Sequence, residues 1–194
     1  HKNFHIEEKR QMEKLGKLTF RFATNNDKSL VEDFCKLQKD NNNTSLEKMK
    51  WDWCTIWTIA LYENKIVSIA GVHELPEVSP NAYRCLFRGA QLPGYTLGTG
   101  RDIFKTGIQL SYLLPLQMKW AKMQNENAEL YLSMNIDDVG GGKSHRLNKI
   151  MCPYLEKRGV LTLEKSLTLF SVPQNLWRIN IDRYFKERTH SFSS

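Results

Sequence analysis

Residues Ile56 to Tyr62 form a β-branched and aromatic run, and Ile66 to Val72 form a second. Only the polar stretch Glu63-Asn64-Lys65 separates them. Two apolar runs across so short a polar break bury their side chains as paired antiparallel strands, which places a β-hairpin near the middle of the chain. Pro76 and Ser79-Pro80-Asn81 then make a second connection. Tyr83 to Ala90 follows as a third antiparallel strand, completing a meander.

The flanks of this meander mix helix and strand. His1 to Leu15 reads as a polar helix ended by Gly16, and Leu18 to Ala23 alternates as a half-buried strand. Asn25, Asn26 and Asp27 offer turn and cap chemistry before a helix with Leu30, Val31, Phe34, Cys35 and Leu37 on one stripe. Asp40 to Thr44 is a polar loop, and Leu46 to Trp53 reads as a short helix. Its Trp51 and Trp53 are expected to anchor the core, with the lining of a cleft as the alternative.

Leu92 to Gly107 is rich in Gly and Thr and leads into an apolar helix from Ile108 to about Met123, which Pro115 should kink. Ala128 to Met134 reads as a strand, Asn135 to Ser144 as a loop and His145 to Arg158 as a helix that Gly159 ends. Val160 to Leu163 and Ser166 to Val172 read as the last strands. This order gives an α+β fold with a mixed sheet rather than a doubly wound parallel one.

The chain has 194 residues, enough to bury a full core without disulfide or metal staples. Cys35, Cys54, Cys85 and Cys152 are scattered, with no CxxC or close Cys/His pair, so no metal site is expected. Sparse cysteines point to reduced thiols and a cytoplasmic setting. No apolar run is long enough for a membrane span, and the charged start His1 to Lys14 is neither signal peptide nor anchor. Lys plus Arg number 28 against 21 Asp plus Glu, and the net charge of +7 favours an anionic partner.

Three stretches stand in a telling order: ENKIVSIAGV at 63–72, FKTGIQLSYLLPLQMKWAKMQ at 104–124 and NKIMCPYLEKRGV at 148–160. Together they resemble the GNAT superfamily of acetyl-CoA-dependent N-acyltransferases. The resemblance covers residues 17–172 and leaves 1–16 as an N-terminal helical extension and 173–194 as a basic C-terminal tail. It implies a central, mixed and mostly antiparallel sheet flanked by helices. It also implies acetyl-CoA or another acyl-CoA as cosubstrate, without a metal, and a small amine or a peptide or protein amine as acceptor. In the family's phosphate loop, Gln or Arg is followed after two residues by Gly, and after one more by Gly or Ala. Here Phe104, Gly107 and Gln109 hold those places. In the family's late helix, a general-acid Tyr often stands directly before Glu-Lys. Here Leu155 holds that place and Tyr154 precedes it, about 100° away around the helix.

A CoA pyrophosphate is met by backbone N–H groups at a helix start, for which Lys105, Thr106, Gly107, Ile108 and Gln109 are the candidates. The resemblance adds Asn148. Acyl transfer to an amine needs a base for the amine and an acid for the leaving thiolate. His73, Glu74 and Glu77 are the candidate bases, ahead of Asp137 and Asp138, and Tyr154 is the candidate acid. Loop carboxylates are most often merely solvated, and a lone His is most often structural. Gly140 to Ser144 (GGGKS) resembles the end of a phosphate-binding loop, yet Asp137 stands where that motif requires Gly. Lys143, His145, Arg146 and Lys149 cluster, and Arg178, Arg183, Lys186 and Arg188 lie among Trp177, Tyr184 and Phe185. The alternatives are therefore a GNAT-like binding or structural module without catalysis and a nucleic-acid-binding protein.

Overall fold

The computed structural model describes residues 15–38, 49–95, 103–139 and 142–193. The fold is a seven-stranded sheet in the order β1-β2-β3-β4-β5-β7-β6. The strands are β1 (Leu18–Phe22), β2 (Ile56–Tyr62), β3 (Lys65–Glu74), β4 (Ala82–Gln91), β5 (Glu129–Asn135), β6 (Leu161–Leu169) and β7 (Val172–Ile179). Every neighbouring pair is antiparallel except β4 and β5, which run parallel. The expected mixed, mostly antiparallel sheet is therefore present.

The β2–β3 hairpin turns on Glu63 and Asn64, both with positive φ, at 49° and 66°. That backbone twist matches the twist of the strands it joins. Among the described residues, six α-helices flank the sheet: α1 (Lys28–Leu37), α2 (Ile103–Thr106), α3 (Leu114–Gln124), α4 (Ser144–Lys149), α5 (Met151–Lys157) and α6 (Ile181–Ser193).

Helix α1 packs Val31, Phe34 and Cys35 onto Trp57, Ile59, Ile69 and Phe87 of the sheet. Leu30 and Leu37, expected on its buried stripe, are exposed instead, because the apolar face narrows to three positions. Asp27 starts this helix. Its carboxylate accepts from the Thr24 backbone N–H at 2.7 Å and from both terminal nitrogens of Arg21 at 2.7 and 3.0 Å. The guanidinium holds the Asp27 carboxyl well below the usual carboxylate range. Trp51 is half-buried and stacks on Trp57 with centroids 6.4 Å apart, whereas Trp53 is exposed and anchors nothing.

The opposite face carries the larger core. Phe104, Leu110, Leu114 and Met118 pack there against Cys85, Leu132 and Met134, joined by Cys152 and Leu155 of α5 and Tyr184 of α6. Pro115, expected to kink the helix, sits where a π turn, Gln109–Leu113, passes into the α-helix α3. Pro115 has no N–H to give to the Ser111 carbonyl one turn back. Arg188 Nε of α6 donates to that carbonyl instead, at 2.8 Å.

The helix expected over His145 to Arg158 is split at Ile150. Pro153 sits in the first turn of α5 and cannot donate back to Lys149, so the second segment starts anew. The last strands also differ from expectation. Val160 is not in a strand, β6 runs unbroken in extent from Leu161 to Leu169, and the turn falls at Phe170-Ser171. Val172 begins β7, which lies between β5 and β6. The basic stretch from 173 on, whose Trp177, Ile179, Ile181 and Tyr184 suit a further strand or a docking segment, supplies both: its first part is an interior strand, and Ile181–Ser193 is α6, with Tyr184 fully buried. The expected helix over His1 to Leu15, except its last residue, lies outside the described residues, as does Leu46 to Lys48.

Candidate active site

The parallel pair at the centre of the sheet is short. β4 meets β5 at Ala82↔Glu129, Tyr83↔Leu130 and Arg84↔Tyr131. Past that level, β4 follows β3 to Gln91 and β5 follows β7 to Asn135. The facing edges of β4 and β5 therefore part, leaving a wedge in the sheet. β4 is bent where this happens: Leu86 and Arg88 have φ of 51° and 52°, and the β3–β4 register shifts on both sides of Gly71. Left-handed backbone at a non-glycine residue costs of order 1 kcal/mol and needs support from its surroundings. Gln117 supplies it. This buried α3 side chain accepts from the Leu86 N–H at 2.8 Å and donates to Thr58 Oγ1 at 2.9 Å and the Ala70 carbonyl at 3.1 Å.

The expected phosphate turn lies beside β4. The Gly107 N–H donates to the Ile103 carbonyl at 3.1 Å, and the Gly107 carbonyl accepts from Ser111 N at 3.2 Å. Gly107 is therefore inside a continuous helical path, and its N–H is spent there. Ile108 is fully buried against Ala60, Val67 and Ala70. The Gln109 amide donates to the Ile69 carbonyl at 3.2 Å and lies over Gly89, where a Cβ would collide with it. Lys105 and Thr106 belong to the first described turn, α2. Phe104 is buried against Tyr184, with centroids 5.6 Å apart.

Of the candidate bases, His73 stands closest to the wedge, paired in register with Arg84. Its Nδ1 is 2.7 Å from the Glu74 carbonyl, so Nδ1 carries the proton and Nε2 presents its lone pair to Arg84 Nη1, 3.5 Å away. Burial is the main cause that lowers the His73 pKa to about 4, and Arg84 adds to it. His73 is thus neutral at pH 7. Glu74 and Glu77 are exposed, Glu74 at the end of β3 and Glu77 in the connection to β4.

Tyr154 is half-buried on α5, with the Arg158 guanidinium 3.5 Å from its ring centroid. Leu155, one residue on, is fully buried in the core. Asn148 is turned to the sheet: its Oδ1 accepts from Trp177 Nε1 at 2.9 Å and Asn175 Nδ2 at 3.1 Å, fastening α4 to β7. Asp138 pairs with His145 at 3.6 Å, and Asp137 is exposed. The structure thus gathers His73 and the helix start around the parting strands, but commits Gly107, Ile108, Gln109 and Asn148 to internal contacts.

Sequence reading passed over Arg84, which is buried on β4. Its Nη2 donates to Gln174 Oε1 at 2.8 Å, and Ser133 Oγ donates to the same oxygen. Arg84 and Arg88 were visible as the charged residues within the apolar run Tyr83 to Ala90.

Several basic residues have internal duties. Arg183 Nε donates to the Arg158 carbonyl at 2.7 Å and its Nη2 pairs with Glu187 at 3.1 Å, while Arg188 serves Ser111. Ser144 Oγ accepts from the Asn135 N–H at 2.8 Å, closing the end of β5. A separate, apolar groove of about 480 Å³ runs between α3 and α6, lined by Tyr112, Pro115, Leu116 and Phe185 among others. Among the described residues, no helix is long and apolar enough to cross a membrane.

No family model and no curated protein matches the sequence. Solved structures do. An acetyltransferase of the GNAT family from Streptococcus pneumoniae superposes with a TM-score of 0.53 at 14% identity, over 84% of this chain and 99% of that one. An acyl-CoA N-acyltransferase from Pseudomonas aeruginosa gives 0.50 at 9% identity, over 84% and 98%. An uncharacterized protein from Bacillus halodurans gives 0.53 at 14% identity, over 89% and 88%. The fold of this chain is GNAT-like.

Proposed function

We propose that this chain is an N-acyltransferase, moving an acetyl or related acyl group from an acyl-CoA to a primary amine. The observation that carries this reading is the parting of β4 from β5 after Arg84 and Tyr131, beside the start of the α2–α3 helical path. Diverging strand edges offer backbone groups to an extended ligand that carries amides of its own, as a pantetheine arm does. The Pseudomonas protein of like fold is an acyl-CoA N-acyltransferase, which supports the same reading.

Gly107 and Ile108 are taken up by the helix and the core, so the backbone of Lys105 and Thr106 is the proposed seat of the pyrophosphate. The amine nitrogen attacks the thioester carbonyl carbon, the C–S bond breaks, and the nitrogen sheds one proton. Glu74 or Glu77, exposed beside His73 in the chain, takes that proton through water, because the His73 lone pair is turned to Arg84. Tyr154 gives one to the departing thiolate. Direct attack needs both substrates bound together.

The test is amine-dependent release of free CoA thiol from acetyl-CoA, across small amines, amino acids and peptides. Saturable release with at least one amine class supports the reading, and release no faster than without protein counts against it. A second reading is a binding module of the same fold without chemistry. The fully buried Leu155, where the family often has its acid, favours it. Acetyl-CoA binding with no turnover on any amine class would select this second reading.

A further inference from the structure

The two distortions of β4 bring three side chains together that strand alternation would keep apart. Arg84 and Arg88 both lie on the Phe87 ring, with guanidinium carbons 4.4 and 5.0 Å from its centroid. Phe170, from the β6–β7 turn, covers the same ring, with centroids 6.1 Å apart. Arg84 is buried and Arg88 half-buried.

What this pair lacks among the described residues is a counter-charge in contact with it. Among the described residues, no carboxylate lies within ion-pair distance of either guanidinium. The hydrogen-bond partners of Arg84 are the neutral amide of Gln174 and the neutral ring of His73, and the carboxylate that acts on it, Glu77, does so from beyond ion-pair distance. The Arg88 Nε is buried and has no hydrogen-bond partner. The neighbouring Cys54 and Cys35 do not supply a thiolate, since burial raises both thiols, Cys35 to about 12. Burial also lowers Arg84 to about 9, with Arg88 adding to the shift, so the pair is already strained as cations. Buried charges are ordinarily paired, and breaking such a pair is strongly destabilising. Two guanidiniums with spare donors and an aromatic support match the planar or tetrahedral oxygens of an oxyanion.

We propose that Arg84 and Arg88 form an oxyanion subsite that takes a carboxylate or phosphate group of the acceptor. The assignment of this oxyanion to the acceptor rests on the acyltransferase reading; the oxyanion site itself does not. Its place on β4, at the level where β4 leaves β5, would hold an anionic group within one small molecule's length of the wedge. The acceptor class is then an amine that also carries a carboxylate or phosphate, such as an amino acid or an aminoalkyl phosphate.

The test uses the full chain without acetyl-CoA. Its thermal midpoint is followed against inorganic phosphate and, separately, acetate, with sodium chloride holding ionic strength constant. A saturable rise is expected with at least one of them, because a ligand bound only by the folded state stabilises it. A rise with phosphate alone assigns a phosphate-bearing acceptor, and a rise with acetate alone a carboxylate-bearing one. In Arg88→Met the response should weaken at least tenfold.

A response of equal strength in Arg88→Met, or none to either anion in the unaltered chain, overturns the proposal. If Arg88→Met does not fold, the Arg88 Nε resonance of the unaltered chain is followed during the same titrations. A saturable shift supports the subsite and its absence overturns it. Acetyl-CoA titration is run in parallel. Anion binding without acetyl-CoA binding contradicts the acyltransferase reading but leaves the oxyanion site standing. Acetyl-CoA binding without anion binding overturns only the subsite.

Discussion

His73 and Arg84 face each other across β3 and β4 at the last level where β4 still pairs with β5. With Nδ1–H committed to the Glu74 carbonyl, the free lone pair of His73 points at a buried cation. A neutral imidazole is the state that such a neighbour favours, and burial favours it too.

This relationship predicts a pH dependence. The folded pKa of His73 is about 4, against an ordinary 6.5. Above 6.5 neither the folded nor the unfolded chain holds the proton, and the residue is silent. Between 6.5 and 4 the unfolded chain takes the proton and the folded one does not. Stability therefore falls as the pH falls through that window, by at most about 1.4 kcal/mol per unit. His73→Gln should flatten the slope between pH 6.5 and 4 in chemical denaturation. The loss tied to Asp27, whose folded pKa is depressed by Arg21, begins only below about 4 and should remain in the variant.

Gln117 links three strands through Leu86, Ala70 and Thr58. Gln117→Leu keeps the bulk but leaves the Leu86 N–H and the Thr58 hydroxyl each without this buried partner. The expected loss is about 2–4 kcal/mol in urea unfolding. A loss below 0.5 kcal/mol, on the order of a surface change, would show that the bend in β4 does not depend on it.

Gly89 and Gln109 predict a coupled pair. A Cβ at residue 89 would strike Gln109 Oε1, so Gly89→Ala should cost about 1–3 kcal/mol. Gln109→Ala removes the obstacle along with its bond to Ile69. The double variant should cost less than the two single changes summed, by about 1 kcal/mol or more. Simple additivity in a double-mutant cycle would contradict the contact.

Tyr154→Phe removes one hydroxyl and leaves the ring under Arg158. If that hydroxyl protonates the thiolate, kcat should fall by about 100-fold with KM nearly unchanged. Equal kcat in steady-state kinetics would remove Tyr154 from the chemistry.

The hairpin and meander were legible because alternating apolar runs and a polar turn act locally. A further strand around Trp177 and Ile179 was open from residue type, but its start at Val172 and its interior place were not legible, because they come from pairing with β5, more than thirty residues earlier in the chain. The split at Ile150 follows from Pro153, whose effect one turn back is readable only once the helix frame is known. In the site, His73 was found by residue type. Asn148 and Gln109 kept a polar identity that suits a ligand as well as a strand, and only geometry shows which they serve. Arg84 was not legible by type, since acyl transfer calls for a base and an acid, although a charge inside an apolar strand is itself a signal.

The acyltransferase reading stands on acyl-CoA entering the wedge between β4 and β5. Isothermal titration of the full chain with acetyl-CoA tests it most directly. Saturable one-to-one binding is expected, with a dissociation constant between about 1 μM and 1 mM. No saturable heat up to several millimolar, on the order of ten times the weakest of those values, would contradict it.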